Sequence, residues 1–237
     1  MQLFGYFRLK ILDFLLPNHT CLVCGGELNA PSNNFMCDTC VVALPINTEP
    51  LTLVNKEAKQ HFHRAFAAFR YDKPIVEMLL QLKYNAVGDV AVALAPYMAA
   101  VLITTPSRLR RATPSKEGEP ILVPVPLCKK RLKKRGYNQS ELLAKEIGEI
   151  LNYPVLSDVL IRTRDTTPQK KMTVKEREEN LRGAFSILDA SKIIGSRVIL
   201  VDDVFTSGST ANECAKVLKA AGAKQVDAIV AARVGFE

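Results

Sequence analysis

Apolar residues recur along this chain with two periods. Beyond residue 60, short apolar runs alternate with stretches whose apolar positions fall three and four apart. The runs Ala65–Tyr71, Ile121–Pro126, Val155–Ile161, Val198–Val201 and Val226–Ala231 predict strands. A continuous run such as 198–201 suits a strand buried on both faces of a parallel sheet. Helices are predicted from Pro74 to Leu82, with proline in the first turn, and from Asp89 toward Ile103, with a kink or break at Pro96. A capping box of Asn138 and Glu141 starts a helix to Leu151, and Thr173 with Glu176 starts a shorter one to Leu181, stopped by Gly183. A last helix spans Ser209–Ala221 and is closed by Gly222. Strands separated by helices imply an α/β fold with right-handed crossovers. Residues 41–60 and 104–120 read as a linker and an exposed loop, and no internal repeat is present.

The N-terminus needs separate treatment. Leu3, Phe4, Phe7, Ile11, Leu12, Phe14 and Leu15 follow helical spacing, but Arg8, Lys10 and Asp13 interrupt the apolar stretch and no small-residue cleavage site follows. That pattern predicts an amphipathic helix rather than a secretion signal. The uncharged stretch Val90–Ser107 is broken by Pro96 and ends in Thr, Pro and Ser, so no transmembrane segment is expected and a cytoplasmic protein is.

Charge changes the picture in one respect. The 237 residues carry a net charge of +8, unevenly spread. Residues 1–50 hold two basic and four acidic side chains, whereas residues 121–237 hold twenty against fourteen. A basic C-terminal half suits a phosphate-rich small molecule or nucleic acid, and equally a solubilising surface.

Four of the six cysteines form two CxxC pairs, Cys21/Cys24 and Cys37/Cys40, with twelve residues between the pairs. Two such knuckles bring four thiolates to one tetrahedral Zn²⁺, and a complete four-ligand set makes that zinc structural. Gly25 and Gly26 supply permissive backbone directly after the first pair. Disulfides do not suit a chain read as lacking a secretion signal. His19, two residues before Cys21, reads as a surface histidine, with ligation as the alternative.

A second concentration of chemistry lies where the strand Val198–Val201 ends. Asp202 and Asp203 are followed by Thr206, Ser207, Gly208, Ser209 and Thr210, just before a helix. Such a turn offers backbone N–H groups and hydroxyls at a helix N-terminus, which is a phosphate cradle. Two carboxylates beside it suit the hydroxyls of a ribose 5-phosphate. No Gly-Lys-Ser/Thr of a Walker loop is present. The run KKRLKKR, residues 129–135, places Lys129, Lys130, Arg131, Lys133, Lys134 and Arg135 in what reads as a loop at the same sheet edge, beside Tyr137. Six charges exceed what one pyrophosphate needs, and single-stranded DNA accounts for the surplus, with Tyr137 stacking on a base.

The segment VILVDDVFTSGST resembles the phosphoribosyl-pyrophosphate (PRPP) motif of type I phosphoribosyltransferases. Together with the cysteine pairs, LKY at 82–84, VPVPL at 123–127, RGYNQSELLA at 135–144, Thr-Pro-Gln at 167–169 and NLRGAF at 180–185, it resembles the ComF/GntX-type competence family over nearly the whole chain. The resemblance implies a four-cysteine zinc ribbon within residues 1–50, joined to a phosphoribosyltransferase-like domain of residues 61–237. In that domain a parallel sheet carries helices on both faces. It also implies a role in DNA uptake, with an uptake machine or a helicase as partner. By position, Val125, Pro126 and Leu127 match the pyrophosphate loop, and residues 162–185 match a loop covering the site. Arg162, Arg164, Asp165, Lys170, Lys171 and Arg177 fall there, and Asp165, Lys170, Lys171 and Arg177 are the catalytic candidates.

Thr206 stands where purine-salvage enzymes carry an aspartate, and threonine cannot act as a base near neutral pH, so that subclass is not expected. The sequence runs to Glu237, soon after the strand Val226–Ala231, and no nucleobase acceptor is assigned. Two functions remain open: a DNA-uptake factor that binds PRPP-type ligands and single-stranded DNA without turnover, and a PRPP- and Mg²⁺-dependent transferase.

Overall fold

The computed structural model describes residues 20–28, 35–47, 60–84, 88–104, 119–165 and 173–235. The predicted N-terminal helix and most of both predicted linkers lie outside these residues. Two compact units divide the chain, Met1–Leu44 and Pro45–Glu237.

Among its described residues, the first unit consists mostly of turns. Cys21 N–H donates to the Gly26 carbonyl at 2.7 Å, Gly25 N–H donates to the Cys21 carbonyl at 2.9 Å, and a short helix α1 (Asp38–Val42) carries Cys40. Gly25 takes φ +71°, a backbone state that side chains oppose, which is why glycine follows the first pair.

In the second unit, β1 (Arg64–Arg70), β2 (Ile121–Pro124), β5 (Arg197–Phe205) and β6 (Gln225–Arg233) form one parallel sheet in the order β1-β6-β5-β2. Between them in sequence run α2 (Ile75–Tyr84), α3 (Gly88–Thr104), α4 (Lys129–Arg135), α5 (Gln139–Leu151), β3 (Leu160–Arg162), α6 (Val174–Leu181), β4 (Phe185–Ile187) and α7 (Ser209–Ala220). Alternation along β5 divides the core. Val198 and Leu200 join Val226, Ala228 and Val230 of β6 against Cys214, Ala215 and Leu218 of α7. On the other face, α3 and α5 pack on each other and on the sheet. The central positions of β1 and β6 are essentially inaccessible, as a doubly covered parallel sheet requires.

Four expectations need correction. Val155 makes one parallel bridge to Leu122, but the chain then turns at Ser157–Asp158, and β3 pairs antiparallel with β4 in a separate two-stranded sheet. Among the described residues the main sheet therefore has four strands. Of the kink or break expected at Pro96, the break does not occur: α3 continues through this exposed residue to Thr104. At the start of α5, Asn138 Oδ1 accepts from Ser140 N–H, while Glu141 pairs with Lys145 at 2.8 Å, so only half of a capping box forms. Residues 129–135 form a helix, α4, not a loop. Cys128 stands at its start, and Gly136, at φ +83°, ends it. The box at Thr173 and Glu176 is complete.

Candidate functional site

The four paired cysteines converge. Their sulfur atoms all lie within 4.8 Å of one another, and Cys24 and Cys37 are 3.9 Å apart. Tetrahedral corners around a Zn²⁺ with Zn–S bonds of about 2.3 Å lie about 3.8 Å apart, so the donor set fits that ion. Protonation chemistry agrees with this. Burial opposes the Cys21 thiolate, but N–H groups of Cys24, Cys37 and Val23 outweigh it and pull the thiol down to about 6. Burial and the neighbouring sulfurs push Cys40 up to about 12. Four crowded thiolates repel one another, so a cation at the centre would favour ionisation of the whole set.

The second concentration is built around β5, which continues past Val201. Pairing with β6 persists through Asp202 opposite Val230 to Phe205 opposite Arg233. Asp202 and Asp203 therefore lie inside a strand and leave it on opposite sides. Asp202 lines a shallow, open concavity with Val125, Phe205, Thr206, Gly208 and Thr210. Its Oδ1 accepts from Ser140 Oγ at 2.9 Å and from the Asp203 N–H at 2.9 Å. Burial, with Asp203 adjacent, raises its pKa to about 7, against the pull of these donors and of Lys83. Asp203 is buried instead against α2, where Lys83 Nζ lies 2.5 Å from its Oδ2.

The turn after β5 is held tightly. Gly208 takes φ +77°, and a Cβ there would lie 2.6 Å from Phe205 Cζ. Glycine is thus required twice over, by backbone state and by space. Ser207 and Ser209 hydroxyls pair at 2.8 Å, and no side chain caps α7. Ser209, Thr210 and Ala211 of its first turn line the concavity, and a helix start carries unpaired N–H groups and partial positive charge.

The remaining predicted residues separate into groups. Val125 is fixed by its N–H to the Val201 carbonyl at 2.9 Å and by Asn138 Nδ2 on its carbonyl at 3.0 Å, so the Val125–Leu127 turn sits at the carboxyl end of β2 beside Asp202. Arg177 donates to Thr206 Oγ1 at 3.1 Å, joining α6 to the phosphate-type turn. Arg164 instead caps α6, donating to the carbonyls of Asn180 and Arg182 at 3.0 and 2.8 Å. Arg162 lies over the Phe185 ring at 5.4 Å, and burial followed by Arg131 lowers its pKa. Asp165 is exposed, and Lys170 and Lys171 lie outside the described residues. None of the basic residues of α4 is buried, and the Tyr137 hydroxyl donates to the Leu82 carbonyl at 2.6 Å. Lys83, Ser140 and Tyr84 were not singled out as site residues. LKY and RGYNQSELLA contain them, but nothing in either segment says which partner each would meet.

A family model described as a phosphoribosyl transferase domain matches residues 133–235. Competence protein F of Haemophilus influenzae is 39% identical over 106 residues, which are 44% of this chain and 46% of that protein. The DNA utilization protein YhgH of Salmonella typhi is 32% identical over 168 residues, 70% of each chain. The match thus spans less than half the length of the first relative. Among solved structures, the glutamine PRPP amidotransferase of B. subtilis, complexed with ADP and GMP, aligns with TM-score 0.38 and 19% identity over 64% of this chain and 30% of its own. Among the described residues, no helix is long and apolar enough to cross a membrane.

Proposed function

The chain belongs to the ComF-type family of competence and DNA utilization proteins, and from that premise we propose that it serves DNA uptake or DNA use through a PRPP-type ligand site at the end of β5. The observation that carries this reading is a concavity lined by both Asp202 and the uncapped start of α7. Asp202 accepts from ribose hydroxyls, the 206–210 turn takes the 5-phosphate, and the Val125–Leu127 turn faces the pyrophosphate. Lys83 neutralises Asp203, so the second acid orients the strand end. PRPP enters as its Mg²⁺ complex, and Arg177 lies within reach of the same turn through Thr206.

In the same reading, residues 1–50 form a zinc module around Cys21, Cys24, Cys37 and Cys40, and residues 61–237 form the ligand-binding domain. The protein works in the cytoplasm, where PRPP and reduced thiolates coexist. The cationic side chains of α4 bind single-stranded DNA. Uptake machinery or a helicase is the partner class.

Titration calorimetry of zinc-loaded protein with PRPP and Mg²⁺ tests the ligand site. Micromolar binding that disappears in Asp202→Ala/Asp203→Ala is the expected result. Wild-type protein that takes up no PRPP, or a variant that binds it as well, would sink the proposal. Turnover of PRPP in the presence of nucleobases would favour a transferase.

A further inference from the structure

Base stacking requires an aromatic face that is open, held in place and close to cations. Tyr137, beside the basic run, has its hydroxyl committed to the Leu82 carbonyl and is half-buried. Tyr84, at the C-terminal end of α2, is 71% exposed. The Arg135 guanidinium lies over its ring, 5.7 Å from the centroid. Arg135 is the last residue of α4 and is itself held by Gln139 Oε1, whose side chain is buried. One face of Tyr84 therefore carries a fixed cation.

The two preceding residues anchor this ring. The Leu82 carbonyl accepts from Tyr137, and Lys83 pairs with Asp203 at 2.5 Å. A ring on so constrained a backbone loses little further freedom on stacking. Along α4 leading to Arg135 stand five more cations and no acid, with Leu132 42% exposed among them. Cations alone would take any phosphate-rich ligand. Cations leading to an open aromatic face match a strand whose bases are unpaired, because a duplex keeps its base faces stacked inside.

We propose that Tyr84, clamped by Arg135, is the base-stacking residue of a single-stranded DNA site whose phosphates lie along α4. This rests on the DNA-binding reading above and assigns the residue that distinguishes single strands from duplex.

Fluorescence anisotropy with a labelled oligo(dT) of about 16 nucleotides tests it, on zinc-loaded full-length protein. Tyr84→Ala is expected to weaken binding on the order of ten-fold, and Tyr84→Phe less than about two-fold, since stacking needs the ring and not the hydroxyl. Salt dependence should keep its slope in both variants, because the cations that meet the phosphates are untouched. Replacing Lys129, Lys130, Lys133 and Lys134 by Gln should flatten it, by about 0.7 in log–log slope for each phosphate that a lysine had neutralised. An abasic oligonucleotide should bind wild type and Tyr84→Ala alike, an outcome that a merely structural role would not produce. Equal oligo(dT) affinity of wild type and Tyr84→Ala would overturn the assignment while leaving DNA binding by α4 standing. An equal weakening on abasic DNA would also overturn it. Wild-type protein that does not bind oligo(dT) at all would remove the parent reading and this one together.

Discussion

The four-cysteine unit and the α/β unit are organised by different forces, although each gathers polar or ligating side chains at one place. In the first, the described residues bury few large apolar side chains, and four sulfurs crowd within 4.8 Å. Its shape comes from spacing and turns, and in the proposed zinc module the metal would supply the energy. In the second, the concavity exists because a doubly covered sheet holds β5 rigid up to Phe205, and the site is shaped by packing before any ligand arrives. A metal-organised site should collapse when its ligand is removed, and a packing-organised one should not.

The largest effect should come from the metal. Stripping zinc with a strong chelator, or Cys24→Ser, should unfold residues 20–44 while the unit after Pro45 keeps its own thermal transition. Structural zinc contributes about 10–16 kcal/mol in small modules. Differential scanning calorimetry with amide NMR would read this, and simultaneous loss of both units would break the distinction.

Next in size are the two packing tests at β5. Gly208→Ala should cost about 3 kcal/mol, since it combines a left-handed backbone with a Cβ 2.6 Å from Phe205. Urea denaturation should show the loss, and PRPP affinity should fall with it. Lys83→Met should cost about 2–3 kcal/mol by leaving the buried Asp203 carboxylate without its cation. The double variant Lys83→Met/Asp203→Asn should recover most of that. Failure to recover would mean that Lys83 acts by packing its aliphatic stem.

A smaller effect should depend on pH. Asp202 keeps its proton up to about pH 7 in the folded protein, whereas the unfolded chain releases it near pH 4, at about 3.9. Between those values the folded state holds the extra proton, so wild-type stability falls as pH rises through the window. Asp202→Asn escapes this loss. Its melting temperature should match wild type below about pH 4, exceed it by a few degrees above about pH 7, and do so while PRPP binding is lost. The smallest change is expected at α4. Replacing its four lysines by glutamine should shift stability by less than about 0.5 kcal/mol, because nothing in that helix is buried.

Much of this molecule was legible in its residues. CxxC spacing identified the cluster of four cysteines, and the apolar runs identified β1, β2, β5 and β6 because each is buried on both faces. The polar pair Asp202–Asp203 looked like a strand end, yet backbone pairing with β6 is indifferent to side-chain polarity and carries β5 four residues further than read. Seven residues of nearly uniform positive charge show no amphipathic period, so α4 read as a loop. Val155–Ile161 has the composition of a sheet strand, but a polar turn at 157–158 sends its second half to β4.

By itself, then, the sequence determined what depends on near neighbours: the zinc-type knuckles, the helix starts at Asn138 and Thr173, and the phosphate-type turn that requires glycine at 208. The tertiary structure decided which distant groups meet. Strand alternation sends Asp202 to the concavity and Asp203 to Lys83, 120 positions away in sequence. Helix packing brings Tyr84 under Arg135 and commits Tyr137 to Leu82. Such partners are selected by the register and crossing of elements, and those follow from how the whole core closes rather than from any local run of residues.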